Sequence, residues 1–176
     1  MKNKLLTVVV ILGIGFFTNN ISAQGATIIA TTAGAEIASP ITLAQSSVLE
    51  FGAMIVSATA GTCTLNPEDT GRTATGGVTL ITSGATPSVA GYTVGGTASR
   101  NYAITLPASI TVVNGINNMT INGIGSFVGS KTAVSSTGTL DSNAQDIFKV
   151  GGTLIVDASQ AAGVYAGTFA VTVNYN

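Results

Sequence analysis

The side chains that could carry chemistry are few and scattered. Glu68 and Asp69 are neighbours in Asn66-Pro67-Glu68-Asp69-Thr70-Gly71, which reads as a turn. Two carboxyls side by side in a turn cannot flank a scissile bond as a paired acid and base must. Asp141-Ser142-Asn143-Ala144-Gln145-Asp146 starts like a calcium loop, but it lacks Gly at the sixth position and has Gly152 where the twelfth needs Glu. It reads as a solvated loop. Arg72 and Arg100 stand alone in sequence and suit an ion pair or a loop anchor better than a ligand clamp. Tyr92, Tyr102, Tyr165 and Tyr175 could line a carbohydrate site, although at strand positions tyrosines more often serve as half-buried packing. Gly123-Ile124-Gly125 has no third Gly at the dinucleotide spacing and opens no helix, so it marks a turn. Asn118-Met119-Thr120 matches a glycosylation sequon and is taken as incidental.

Composition removes whole classes of function. The 176 residues contain six Lys and Arg, seven Asp and Glu, one Cys and no His. Charged residues are 7% of the chain, against about 25% in an average soluble domain. Without an imidazole there is no Ser-His-Asp or Cys-His nucleophilic site and no His-ligated zinc or haem. One Cys makes neither a Cys-rich zinc site nor an internal disulfide. The basic residues are too few for a nucleic-acid footprint. A mean hydropathy of +0.52 is opposite to the polar, charged signature of disorder. The expectation is a protein with no catalytic residues, no cofactor and no metal.

The first residues read as an export signal. Lys2 and Lys4 precede an apolar run over residues 5–17, then a polar break at Thr18-Asn19-Asn20, and Ile21-Ser22-Ala23 before Gln24. This pattern predicts a signal peptide, residues 1–23, cleaved after Ala23. A membrane anchor fits less well, because a spanning helix needs about 20 apolar residues. Cleavage removes two lysines and leaves four basic against seven acidic residues. The expected product is secreted or on a bacterial cell surface after periplasmic transit, with no membrane span. Cys63 then meets an oxidising compartment without a partner. It is either a buried small hydrophobe or a free or intermolecular thiol.

The elements that position these residues read as strands. Thr, Val, Ile and Gly dominate, and no window keeps an i, i+3, i+4, i+7 apolar pattern. Short alternating runs at 27–32, 36–43, 48–56, 61–65, 77–82, 90–94, 101–106, 110–113, 119–122, 148–156 and 164–175 are separated by Gly, Pro, Asn and Ser. Pro40 suggests an edge or bulge, and Asn114-Gly115 a turn. In 48–56 the alternation puts Leu49, Phe51, Ala53 and Ile55 on one face. Residues 126–146 read as a long loop. The Thr residues form no regular T-x-T ladder. Strands at this spacing predict one all-β sandwich or barrel, with residues 24–36 as an N-terminal extension or first strand and 37–176 as the domain.

The last run is the most regular. Gly163, Tyr165, Gly167, Phe169, Val171, Val173 and Tyr175 share one face, while the other is small or polar apart from Val164. A strict period of two fixes register, and a long uncovered strand with no Lys, Glu or Pro is an edge that something pairs with. A Gly fourteenth from the end and a penultimate Tyr resemble the ending of chaperone–usher pilus subunits. Ile41-Thr42-Leu43, Leu49-Glu50-Phe51-Gly52, Gly61-Thr62-Cys63-Thr64-Leu65-Asn66-Pro67, Gly71-Arg72-Thr73, Gly76-Gly77-Val78, Val150-Gly151-Gly152-Thr153-Leu154 and Gly163-Val164-Tyr165-Ala166-Gly167 are similar to an exported bacterial domain family of unknown function. That family is itself similar to spore-coat-protein-U-like, pilin-like domains.

The resemblance implies an immunoglobulin-like (pilin-like) β-sandwich that lacks one strand and takes it from another chain. A chaperone strand or the next subunit's N-terminal extension would fill the groove by strand addition. Residues 26–33 suit the donor role: they are uncharged and small or β-branched, with Ala26, Ile28, Ile29, Ala30 and Thr31 as candidate contacts. Many chaperone–usher pilins carry a Cys pair near the start of the fold, and this chain has Cys63 alone. Two functions are expected. One is a non-enzymatic surface or fimbrial subunit that associates with itself or with related subunits, served by a periplasmic chaperone. The other is a monomeric secreted binding module for glycans or a surface partner.

Overall fold

A computed structural model describes residues 29–69 and 71–176, so the predicted signal peptide, Ala26 and Ile28 lie outside the described residues. The chain divides into two units, Met1–Glu36 and Ile37–Asn176. In the first, residues 29–36 are exposed and carry no strand, so the strand expected over 27–32 is not formed where it can be seen.

The second unit is an all-β sandwich built of antiparallel strands. Its elements are β1 (Thr42–Ser47), β2 (Met54–Leu65), β3 (Arg72–Leu80), β4 (Ala90–Gly95), β5 (Asn101–Thr105), β6 (Ile110–Asn114), β7 (Asn117–Val128), β8 (Thr137–Thr139), β9 (Gln145–Val156) and β10 (Thr172–Tyr175). The larger sheet runs β1-β4-β9-β2-β3, with β7 also on β9 and β6 on β7; the smaller runs β10-β5-β8.

β9 organises the larger sheet. β7 pairs along one of its edges from Phe148 to Ile155. The other edge is divided: β4 takes Gln145 to Val150 and β2 takes Gly152 to Val156. The division falls at Gly151, where a Cβ would strike the Leu65 carbonyl and the Pro67 ring. The β2 chain turns away there, across β9, and only glycine leaves it room. The two separate motifs around Leu65-Asn66-Pro67 and Val150-Gly151-Gly152 thus meet at one contact.

Two apolar clusters fill the sandwich. Tyr92, Val94, Tyr102, Ile104, Val128, Leu140, Phe148, Val150 and Val173 form one between the two sheets. Phe51, Cys63, Leu65, Val78, Val89, Ile110, Ile121, Leu154 and Val156 form the other. Leu49, Ile124 and Phe169 border both. Tyr92 stacks on Phe148 with ring centroids 5.0 Å apart.

Several expected elements differ. The run 48–56 is no single strand: β1 ends at Ser47 and β2 begins at Met54. Gly52 takes φ +70°, a left-handed conformation that resets the alternation. Phe51 therefore points into the core while Ile55 faces solvent. The separate strand at 61–65 is the end of the longer β2, which carries a bulge between Val56 and Gly61. The strand expected over 36–43 starts only at Thr42, and β3 starts five residues before its expected Gly77. The long loop expected over 126–146 contains the end of β7, all of β8 and the start of β9. The Asn114-Gly115 turn is present, with Gly115 at φ +59° and Asn114 opposite Asn117. Glycine at the first loop position suits a two-residue hairpin.

Threonines that are scattered in sequence become cross-strand ranks. Thr73, Thr64, Thr153 and Asn122 lie in register on four strands. Thr75, Thr62, Ile155, Thr120 and Thr111 lie in register on five. The hydroxyl pairs Thr62–Thr75 and Thr64–Thr153 are 2.8 and 2.9 Å apart, a cross-strand contact of the kind that stabilises sheets.

Candidate functional site

Three of the charged candidates, Arg72, Asp69 and Asp141, bond to backbone groups. Arg72 reaches back over the 51–53 connection: Nη1 donates to the Phe51 and Ala53 carbonyls at 2.8 and 3.0 Å, and Nη2 to the Ile81 carbonyl at 2.8 Å. Its role is the loop anchor anticipated as one of two alternatives. Asp69 Oδ1 accepts the Gly71 amide at 2.8 Å. Asp141 Oδ1 accepts the amides of Asn143 and Gln145 at 2.8 and 2.9 Å, and these bonds hold its carboxyl below its usual range. Its lone pairs organise the turn. Among the described residues, no group of three or more His, Cys, Asp or Glu could hold a metal ion.

Cys63 lies in the second cluster with no exposed surface. Burial pushes its thiol up, against a smaller opposing pull from Arg72. A bond to another chain would need this strand to open. Tyr92 and Tyr102 are core residues. The Tyr102 hydroxyl donates to Asp146 Oδ2 at 3.0 Å, and Ser130 donates to the same oxygen at 2.7 Å. Tyr165 donates to the Ala161 carbonyl. The four tyrosines do not gather into one exposed face. Two shallow depressions, of about 330 and 470 Å3, share Gly125 and Val134. Asp69 is the one ionisable side chain lining either.

Among the described residues, one side of the sandwich has unpaired strand edges. The smaller sheet is tied to the larger on its β8 side. There Ile104 donates to the Ser136 carbonyl, while Ser135 donates to the Ser126 carbonyl and Val134 bridges Phe127 of β7. Residues 134–139 thus pass from one sheet to the other and close that side. On the opposite side, among the described residues, β10 pairs with β5 alone and β1 pairs with β4 alone. Both border the first cluster, and Ile41, Leu43, Leu49, Phe169, Val171 and Tyr175 are half-buried around it. The result is a seam between two strand edges with apolar side chains beneath.

The segment 163–176 keeps the expected sidedness but not the expected regularity. Tyr165, Phe169, Val171 and Tyr175 are half-buried and Val173 is buried, while Val164, Ala166, Thr168, Ala170, Thr172 and Asn174 are exposed. Yet only Thr172–Tyr175 form a strand. Upstream, the sole ladder contact among the described residues is Ala166 with Val113 of β6, at 2.9 and 3.0 Å. Gly163 and Gly167 are exposed and press on β6: a Cβ would strike the Asn114 amide at one and the Thr111 carbonyl at the other. The segment follows β6 and then β5, and the sheet change between those strands interrupts its pairing.

Tyr175 closes one end of the seam. Its hydroxyl donates to the Ser39 carbonyl at 2.9 Å and accepts the Thr97 amide at 2.7 Å. Ser39 in turn donates its amide to Thr97 Oγ1 at 2.7 Å. The hydroxyl occupies the place of a Cβ on Gly96. Sequence reasoning placed Tyr175 on the inward face but had no signal for these partners, which lie 78 and 136 residues away. Of the possible donor contacts, Ile29, Ala30 and Thr31 are exposed and carry no strand.

No curated protein and no solved structure matches the chain. Residues 41–175, from the last residue before β1 to the end of β10, match a family model described as a domain of unknown function, DUF4402. The chain belongs to that family.

Proposed function

We propose that this protein is an exported, non-enzymatic structural subunit with an immunoglobulin-like, pilin-like sandwich, assembling by β-strand addition at the β1–β10 seam. The observation that carries the reading is the pairing of β10: among the described residues it has one neighbour, β5, and its other edge, next to half-buried Phe169 and Val171, has none. Main-chain hydrogen bonds to that edge would supply pairing, and alternate side chains of the incoming strand would cover the apolar floor. Residues 26–33 of a second copy are the proposed occupant, since they are uncharged and β-prone. Strand addition between identical chains does not close on itself unless the geometry is reciprocal, so it builds filaments.

Deleting residues 24–33 tests this. Protein beginning at Gln24 is expected to form multimers that survive SDS at room temperature, and the deletion variant to run as a monomer. A protein that is monomeric at high concentration with or without those residues would refute the proposal.

A further inference from the structure

Two Asn-Gly dipeptides, Asn114-Gly115 and Asn122-Gly123, lie on the β6–β7 hairpin. This dipeptide has a chemistry of its own. Glycine has no Cβ to screen its amide nitrogen, and that nitrogen can attack the carboxamide carbon of the preceding asparagine. A bond forms between the glycine nitrogen and the asparagine Cγ. The glycine nitrogen gives up its proton, and the side-chain nitrogen leaves as ammonia. The product is a five-membered imide. Water then adds to one of its two carbonyls and opens the ring, to aspartate or to isoaspartate, whose main chain runs through the side-chain carbon. Water is the one co-reactant, and nothing is oxidised or reduced.

The fold treats the two sites differently. Their glycines are equivalent: Gly115 and Gly123 take φ +59° and +60°, and no atom lies within 4 Å of a Cβ built on either. The asparagines are not. Asn114 is half-buried. Its Nδ2 donates to the Ala162 carbonyl at 3.5 Å, and its carboxamide fills the place of a Cβ on Gly163. Its backbone pairs with Asn117 across the two-residue turn, and Asn117 Nδ2 donates to its carbonyl at 3.5 Å. To reach the Gly115 nitrogen, the carboxamide must first leave residues 162 and 163. Asn122 is exposed, and among the described residues no side-chain hydrogen bond holds it. β7 leaves register directly after it. Asn122 pairs with Thr153 and Gly125 with Gly151, so Gly123 and Ile124 together face Gly152. A left-handed glycine opening such a bulge is a recurrent way to lodge an extra residue in a strand. The added main-chain carbon of isoaspartate falls where the ladder is already out of step.

We propose that Asn122 is a site of spontaneous self-modification in the folded protein, and that the fold protects Asn114 from the same reaction. Each event places one negative charge at the end of the rank Thr73, Thr64, Thr153 and Asn122, whose other members are uncharged. Asn122 belongs to neither apolar cluster, so the change leaves the packing intact.

Ageing the purified protein at mildly alkaline pH, folded and in urea, tests this. Arg100 and Lys131 bracket both sites with no Lys or Arg between them, so fragmentation of one tryptic peptide reads both by mass spectrometry. In folded protein Asn122 is expected to convert about tenfold faster than Asn114, a ratio worth about 1.4 kcal/mol and the size of one hydrogen bond to be broken. In urea the two rates should converge. Asn122→Gln, whose longer side chain would have to close a six-membered ring, should stop conversion there and leave Asn114 unchanged. Asn122→Asp should co-elute on anion exchange with the aspartate product of aged protein, and both should keep the parent's circular dichroism. Asn114 converting as fast as Asn122 in folded protein would overturn the proposal, as would a tenfold preference that persists in urea. So would folded Asn122 reacting more than about tenfold slower than in urea, the mark of a site that must first open, or loss of the folded signal as Asn122 converts.

Discussion

Arg72→Met should destabilise the domain by about 2–4 kcal/mol, and the structure shows how. The guanidinium serves three carbonyls on two connections, Phe51 and Ala53 on one and Ile81 on the other. The Ala53 carbonyl keeps a second donor, the Ile81 amide at 3.3 Å. Two carbonyls, those of Phe51 and Ile81, lose the donor that Arg72 supplies. A part-buried acceptor left without a donor costs about 1–3 kcal/mol, and the methionine stem keeps most of the apolar contact of the arginine stem. About 3 kcal/mol corresponds to a fall in melting temperature of about 6–12 °C for a domain of this size. Urea unfolding followed by circular dichroism measures it: the midpoint should fall while the slope stays constant. Arg72→Lys should recover only part of the loss, because a single ammonium cannot span both connections as the planar fork does. A loss below about 0.5 kcal/mol, the size of an ordinary surface substitution, would refute the view that Arg72 holds Gly52 and its neighbours in place.

Gly151→Ala should cost more than about 3 kcal/mol or prevent folding, because its Cβ meets backbone and a proline ring that cannot rotate away; soluble yield and thermal melts read this. Cys63 should resist thiol reagents in native protein and react at the rate of global unfolding, since its thiol is buried and burial also raises its pKa; rapid labelling without denaturant would contradict the packing. Tyr102 gives an alkaline prediction. Burial and the Asp146 carboxylate raise its folded pKa well above the usual phenol value of about 10. Its contribution is therefore full below about pH 10 and is lost as pH rises toward the folded value. Tyr102→Phe should flatten the fall in stability above pH 10, and a slope identical to the parent's would exclude Tyr102 as a source.

The legible and illegible parts of the fold separate on range. Alternation along 163–175 correctly placed Tyr165, Phe169, Val171, Val173 and Tyr175 inward, because side-chain direction in an extended chain is local. The same alternation failed at 48–56, where Gly52 adopts a left-handed conformation held by Arg72 from another strand. It also overstated the last strand, because pairing depends on a neighbour and the neighbour changes sheets between β5 and β6. Residues 126–146 looked like a loop because Gly129, Gly138 and the serines between them break any apolar alternation; Gly138 sits against the Tyr102 ring. Their order comes from bonding to β5 and β7.

By itself the sequence determined the chemistry that is impossible and the class of fold. No imidazole and a single Cys are facts of composition, and short β-prone runs between turn residues specify antiparallel strands whatever their arrangement. Only the tertiary structure decided which strand is an edge, which glycines have no room for a side chain, and what the Tyr175 hydroxyl holds. Those are properties of neighbours brought together across 78 to 136 residues, and contacts at that separation leave no period in the chain. The low charge, first only an absence of reactive groups, becomes through β10 and β1 an unguarded pair of edges on one apolar cluster.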